Sequence, residues 1–253
     1  MIGDDEVEVW FADPAAIDAG AVAILDAGER ARMERFVFER DRQLFLAAHA
    51  LVRRSLSRHA DVAPDAWRFR AENGEKPVIA GPAPVPPLSF NLSHCRGLVA
   101  CAIARGREVG VDVERIAELP RDLIDTIASP AEAAALRALP AAAQAERFFT
   151  LWTLKEAYVK ARGQGLALPV EEACFYFGAP GAPGAPGALS PPGAPGAPGV
   201  LSPPLAPPRF VPGPPLADDP AAWMFVRLRP TQEHCAALCI ARPPARATQH
   251  WAR

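Results

Sequence analysis

The chain has 253 residues, enough for one large domain or two half-size lobes with a substantial core. Half of the residues are apolar and 22% are charged, a balance that excludes a wholly disordered or fibrous chain. The net charge of -2 excludes the strong global field of a nucleic-acid or anionic-membrane binder, so neither is expected as a partner.

Val7 to Trp10 alternates polar and apolar residues and predicts an opening strand. The acidic stretch before it lacks the basic-then-apolar order of a signal peptide, and no apolar run approaches the ~20 residues of a membrane helix. Ile17 to Asp26 is alanine-rich and predicts a helix, followed by a long helical stretch from Glu29 to about His59, broken near Phe38. Its first part is basic, through Arg30, Arg32, Arg35, Arg40 and Arg42, and can equally be a solvated face paired with Glu29, Glu34, Glu39 and Asp41. Trp67 to Arg70 reads as a strand, Asn73-Gly74 as a turn, and Glu75 to Ile79 as the return. After a proline-rich connection, Phe90 to Ser93, Leu98 to Ala104 and Val109 to Val113 read as three strands.

Leu123 to Leu139 is helical apart from Pro130, which suits the first turn of a new helix capped by Ser129 with Glu132 three residues on. The next helix carries Thr150 to Lys160 and stops at Gly163. Cys174 to Phe177 begins a strand. Gly178 to Pro220 then holds roughly half of the prolines, with repeated Gly-Ala-Pro triplets too few for a collagen rod, and is expected to be a disordered surface insertion. Trp223 to Leu228 and Cys235 to Ala241 return to strand character. Two internal echoes, Ala66–Phe69 with Ala222–Phe225 and Val99–Ala104 with Ala236–Ala241, suggest pseudo-symmetric halves. The five cysteines are odd in number and lie in apolar runs, as reduced thiols of a cytoplasmic protein would.

Three stretches carry chemistry. Asp112 and Glu114 are two apart on a strand and share a face, with Val111 and Val113 turned to the core. Paired carboxylates raise each other's pKa unless a cation sits between them, and hard oxygen ligands in small number suit Mg²⁺ held against a phosphate. Trp152, Glu156 and Lys160 are four apart and stack on one helix face, so Glu156 can be a third ligand. Ser93 and His94 end a strand, where both can donate to a phosphate. Arg32, Arg70, Lys76, Lys155 and Lys160 are candidate phosphate partners. The plain alternatives are a solvated edge bearing two acids and an exposed Glu156–Lys160 ion pair. Neither a P-loop nor a dinucleotide-binding glycine fingerprint is present.

Phe36–Asp41, Gly74-Glu75-Lys76-Pro77, Phe90–His94, Gly110-Val111-Asp112-Val113-Glu114 and Trp152–Lys160, in that order, resemble the 4′-phosphopantetheinyl transferase superfamily, in its larger surfactin-type (Sfp-type) branch. The resemblance implies an α+β fold of two pseudo-symmetric lobes, residues 1–108 and 109–253, each a long helix on a small mostly antiparallel sheet, with the 178–220 insertion in the second. It implies a monomeric enzyme that moves the phosphopantetheine arm of coenzyme A to a serine of an acyl or peptidyl carrier protein of a fatty-acid, polyketide or nonribosomal-peptide synthase. By motif, Asp112, Glu114 and Glu156 would hold Mg²⁺ (or Mn²⁺), and Lys160 the phosphates. Arg32, Arg70, Lys76, Ser93, His94 and Lys155 would contact coenzyme A, and Glu132 would deprotonate the serine, with Glu156, Lys160 and Asp112 completing the catalytic set. A catalytically silent binder of coenzyme A or carrier, and a metal-dependent phosphoesterase, are the rival functions.

Overall fold

The computed structural model describes residues 2–3, 6–71, 76–84, 86–165, 168–178 and 207–242. Strand β1 (Val7–Ala12) opens the chain, and the alanine-rich stretch after it forms 3-10 turns rather than the expected helix. Gly20 and the β-branched Val22 and Ile24 give that stretch poor α-helix propensity. Helix α1 (Ala27–Glu34) and helix α2 (Glu39–Leu56) are separated near Phe38, as the pattern predicts. Strands β2 (Arg68–Arg70) and β3 (Val78–Gly81) form a hairpin whose Asn73-Gly74 turn lies outside the described residues. Strands β4 (Leu88–Cys95), β5 (Leu98–Arg105) and β6 (Val109–Arg115) follow. The second half continues with α3 (Ile124–Ile127), α4 (Pro130–Arg137) and α5 (Ala141–Arg162), which ends in a left-handed Gly163 with φ 68°. Strands β7 (Ala173–Tyr176), β8 (Arg209–Pro212), β9 (Trp223–Leu228) and β10 (His234–Ala241) complete it.

The two halves repeat one topology. Sheet β1-β5-β4 with hairpin β2-β3 is matched by sheet β6-β10-β9 with hairpin β7-β8, and all pairings are antiparallel. In this correspondence β5 answers β10, so the Val99–Ala104 echo joins equivalent strands. The Ala66–Phe69 echo does not, because β2 answers β7 and not β9.

Alternation along the strands builds four layers. One face of β5 (Val99, Cys101, Ile103) packs under α2. Its other face (Leu98, Ala100, Ala102, Ala104) meets Val109, Val111, Val113, Leu238 and Ile240 of the second sheet. The far face of that second sheet packs against α5 through Phe225, Ala237 and Cys239. Small residues on β5 let the sheets approach closely.

The expected insertion requires a correction at its end. Residues 179–206 lie outside the described residues, but Arg209–Pro212 is strand β8, with Phe210 and Leu216 buried in the α5 core. Asp218 Oδ2 accepts from Tyr158 Oη at 2.6 Å, Arg162 Nη1 at 2.5 Å and Trp223 Nε1 at 2.8 Å, which ties this segment to α5. Proline-rich composition hid four residues of edge strand, where proline is tolerated.

Candidate active site at the seam of two sheets

The site forms where β4, the edge of the first sheet, runs beside β6, the edge of the second. Asn91 and Ser93 of β4 point across the seam and accept from the backbone N–H groups of Val111 and Val113, at 2.8 and 3.3 Å. Two alternate side chains thereby replace the missing ladder partner of β6. This fixes the neighbouring Asp112, whose side chain turns toward α5.

Helix α5 crosses β6 at Gly110. A Cβ there would lie 2.0 Å from the Ala157 carbonyl oxygen and 2.4 Å from the Ala161 nitrogen. The glycine of Gly-x-Asp-x-Glu is therefore a contact requirement. The close crossing lets Lys160 Nζ donate to Asp112 Oδ1 at 2.6 Å and to Ser93 Oγ at 3.0 Å, while Ser93 Oγ donates to Asp112 Oδ1 at 2.8 Å.

The other carboxylates gather around this pair. Trp152, one turn before Glu156 on the same face of α5, hydrogen-bonds to the Glu114 carboxylate. Burial first, and then the Asp112 charge, push the Glu114 carboxyl up to about 7. The same two causes raise Glu156. Asp112 Oδ2 is buried without a hydrogen-bond partner. Among the described residues no three acidic, histidine or cysteine side chains are already drawn together as a metal cage. The set present is a looser one: three acids on two elements, one with an orphaned buried oxygen.

On the other face of β4, as strand alternation requires, His94 is exposed. Partial desolvation of the ring by the surrounding protein and the Lys160 charge lower its pKa, with a further contribution from His49 on α2. His49 stacks on Phe45 at 4.0 Å between ring centroids, and the Arg32 guanidinium lies 5.8 Å over the other ring's centre. A basic file thus extends from Lys160 through His94 and His49 toward Arg32. His49 escaped the sequence reading because nothing local distinguishes it from other helical residues. Lys76 donates to Glu108 Oε2 at 2.9 Å and to the Val109 carbonyl at 2.7 Å, three residues before Asp112. Arg70 lies on the exposed side of β2.

Three expected roles meet contrary geometry. Lys155 is not beside Lys160. It is fully buried on another side of α5, donating to the Val170 and Ala173 carbonyls at 3.1 and 2.7 Å and paired with Glu132 at 3.0 Å. Residues five apart on a helix lie about 140° apart around its axis, so the two lysines of the motif cannot serve one ligand. Glu132 is buried as well. Its Oε2 accepts from Ser129 N, Ser129 Oγ and Lys155, and its Oε1 from Phe175 N at 2.7 Å, and with the side chain only 2% exposed the remaining Oε1 lone pair is out of reach of an incoming hydroxyl. Ser93 spends its one proton on Asp112 and accepts from Lys160 and Val113, so its hydroxyl organises the site and has no proton left to donate to a phosphate.

A family model described as the 4′-phosphopantetheinyl transferase superfamily matches residues 108–185, and one described as the N-terminal part of 4′-phosphopantetheinyl transferase matches 10–105. The chain is 34% identical over 170 residues to the 4′-phosphopantetheinyl transferase HetI of Nostoc, covering 64% of this chain and 71% of that one. It is 28% identical over 150 residues to the 4′-phosphopantetheinyl transferase Sfp of Bacillus subtilis, covering 59% and 65%. A phosphopantetheinyl transferase of Thraustochytrium is 32% identical over 193 residues, covering 64% and 66%. The matched segments contain Asp112, Glu114, Glu156 and Lys160 in one half and Ser93 and His94 in the other, and the chain belongs to the 4′-phosphopantetheinyl transferase superfamily, in its surfactin-type branch.

Proposed function

We propose that the seam between β4, β6 and α5 transfers the 4′-phosphopantetheine arm of coenzyme A to a serine of an acyl or peptidyl carrier protein. The products are the holo carrier and adenosine 3′,5′-bisphosphate. The observation that carries this reading is the buried Asp112 Oδ2 without a donor, next to two carboxyls whose pKa its charge raises. An unpaired buried anionic oxygen is costly, and three crowded acids repel. A hard divalent cation relieves both, so the donor set fits Mg²⁺ or Mn²⁺, and Asp112, Glu114 and Glu156 would hold it. When bound, the ion supplies Lewis acidity and charge neutralisation at the pyrophosphate.

The chain's own residues supply the rest. Lys160 has committed two of its three N–H groups, leaving one for a phosphate oxygen. His94, Lys76, Arg32 and Arg70 offer further positive or donor groups for the nucleotide end. The serine Oγ attacks the phosphorus nearer the pantetheine arm. The bridging P–O bond breaks, and its electron pair leaves with the adenosine bisphosphate. The serine proton passes to a carboxylate of the cluster or to water, and Glu156 is suited to receive it because it stands on the open face of α5. Such a reaction depends on positioning and neutralised charge more than on covalent help. The free cysteines accord with work in the cytoplasm.

The test is intact-mass spectrometry of apo carrier proteins incubated with this protein, coenzyme A and Mg²⁺. A gain of one phosphopantetheine arm, absent with chelator and with Asp112→Ala, is expected. Phosphate release without a modified carrier would establish a phosphoesterase instead, and coenzyme A binding without any gain across carriers would establish a silent binder.

A further inference from the structure

Two ion pairs outside the carboxylate cluster are built to one plan. In the second half, α4 opens with a capping box between Ser129 and Glu132, and Glu132 goes on to pair with Lys155 in the middle of α5 at 3.0 Å. In the first half, α1 opens with a capping box between Asp26 and Glu29, and Glu29 goes on to pair with Arg53 of α2 at 2.7 Å. Both cations have fully buried side chains. Each also donates to two backbone carbonyls that bracket the 3-10 turn leading from its long helix to its hairpin. For Arg53 these are Pro64 and Trp67, at 3.0 and 2.9 Å. For Lys155 they are Val170 and Ala173, flanking the turn at Val170–Glu172.

The residue types differ, Arg for Lys and Asp for Ser, and so do some contacts: Glu29 also meets His49, Glu132 also accepts from Phe175 N, and Arg53 also pairs with Asp26. The path from cap to buried cation to 3-10 turn is the same. Among the described residues, only the second half carries the acidic cluster. A device that recurs in a half without that chemistry serves the placement of a helix. Building on the transferase reading, we propose that Glu132 and Lys155 are positioning residues. They set the rotation of α5 about its axis, so that Glu156 and Lys160 meet Asp112, and Glu132 takes no part in moving the serine proton.

The lever is short. Side chains on a helix end about 5–6 Å from its axis, so a rotation of roughly 10° displaces a carboxylate by about 1 Å. A displacement of that size can lower a rate by about a hundredfold. Lys155 leaves α5 about 100° around from Glu156, so its tether resists this rotation without touching the substrate. Removing one partner leaves the other buried and uncompensated, whereas removing both charges does not.

The experiment compares Glu132→Gln, Lys155→Met and the double variant in the carrier-modification assay, with melting temperatures and with kcat/KM as a function of pH. Each single variant should lose roughly tenfold or more in kcat. The double variant should recover most of that loss, and the acidic limb of the Glu132→Gln pH profile should match wild type. A base cannot be rescued by deleting its partner. A double variant as slow as Glu132→Gln at a native melting temperature, or a Glu132→Gln profile without its acidic limb, would overturn the proposal. If the double variant fails to fold, the Glu132→Gln profile decides alone. A wild type that modifies no carrier would refute the transferase reading instead. The strut would then be judged on melting temperature, where the double variant must exceed the less stable single.

Discussion

Gly110→Ala tests how the strand-side and helix-side halves of the site are joined. The added methyl would sit 2.0 Å from the Ala157 oxygen, 2.4 Å from the Ala161 nitrogen and 3.0 Å from the Ala161 Cα. All three are helix backbone, so no rotamer change relieves the overlap, and carbon–oxygen contact needs roughly 3.5 Å. Helix α5 or strand β6 must therefore retreat by at least about 1 Å, at an overpacking cost of about 1–3 kcal/mol. For a chain of this size that lowers Tm by roughly 3–10 °C. The retreat also lengthens the 2.6 Å contact between Lys160 and Asp112 and withdraws Glu156, which lies between Ala157 and Trp152 on the same helix. Transfer should fall by about a hundredfold while the protein remains folded at 25 °C. The assay is carrier modification by mass, alongside a thermal melt followed by circular dichroism. Unchanged Tm with wild-type transfer would refute the close-crossing argument, because the methyl could then be absorbed without moving α5.

Three further outcomes follow from the same geometry. Glu114 is held at about 7 against an ordinary 4.5, so the folded chain binds that proton more tightly than the unfolded one. This contribution is complete below the unfolded value and is lost as pH rises from about 4.5 to about 7, at most about 3 kcal/mol in all. Mg²⁺ binding should accordingly release protons at pH ~6 and far fewer at pH ~8. Titration calorimetry in buffers of different ionisation enthalpy reads this, and equal release at both would refute it. Asp218→Ala strands the donors of Tyr158, Arg162 and Trp223. It should cost about 2–3 kcal/mol in urea melts, and a loss under about 0.5 would show that the hub is dispensable. Because Tyr176 pairs with Arg209, replacing 178–207 by a four-residue turn should preserve melting temperature and transfer, whereas a deletion reaching Phe210 should not.

Most strands and both long helices were legible because their cause is local: alternation for β4, β5 and β6, helical periodicity with a C-terminal glycine for α5. The same periodicity placed Asp112 with Glu114, and Trp152 with Glu156 and Lys160, on shared faces. Direction about a helix is local too, so the divergence of Lys155 from Lys160 was available in principle. What it points toward was not, since Glu132, Val170 and Ala173 reach Lys155 only after α4 and β7 dock on α5. Strand β8 was hidden because its burial comes from Phe210 meeting α5, while its local composition is that of a loop. The saturation of Ser93, the orphaned oxygen of Asp112 and the matching Glu29–Arg53 and Glu132–Lys155 struts are likewise tertiary facts. Periodicity in a chain decides which side chains share a face. Only packing decides what that face meets, and a polar group's chemistry depends on whether its partners are already taken.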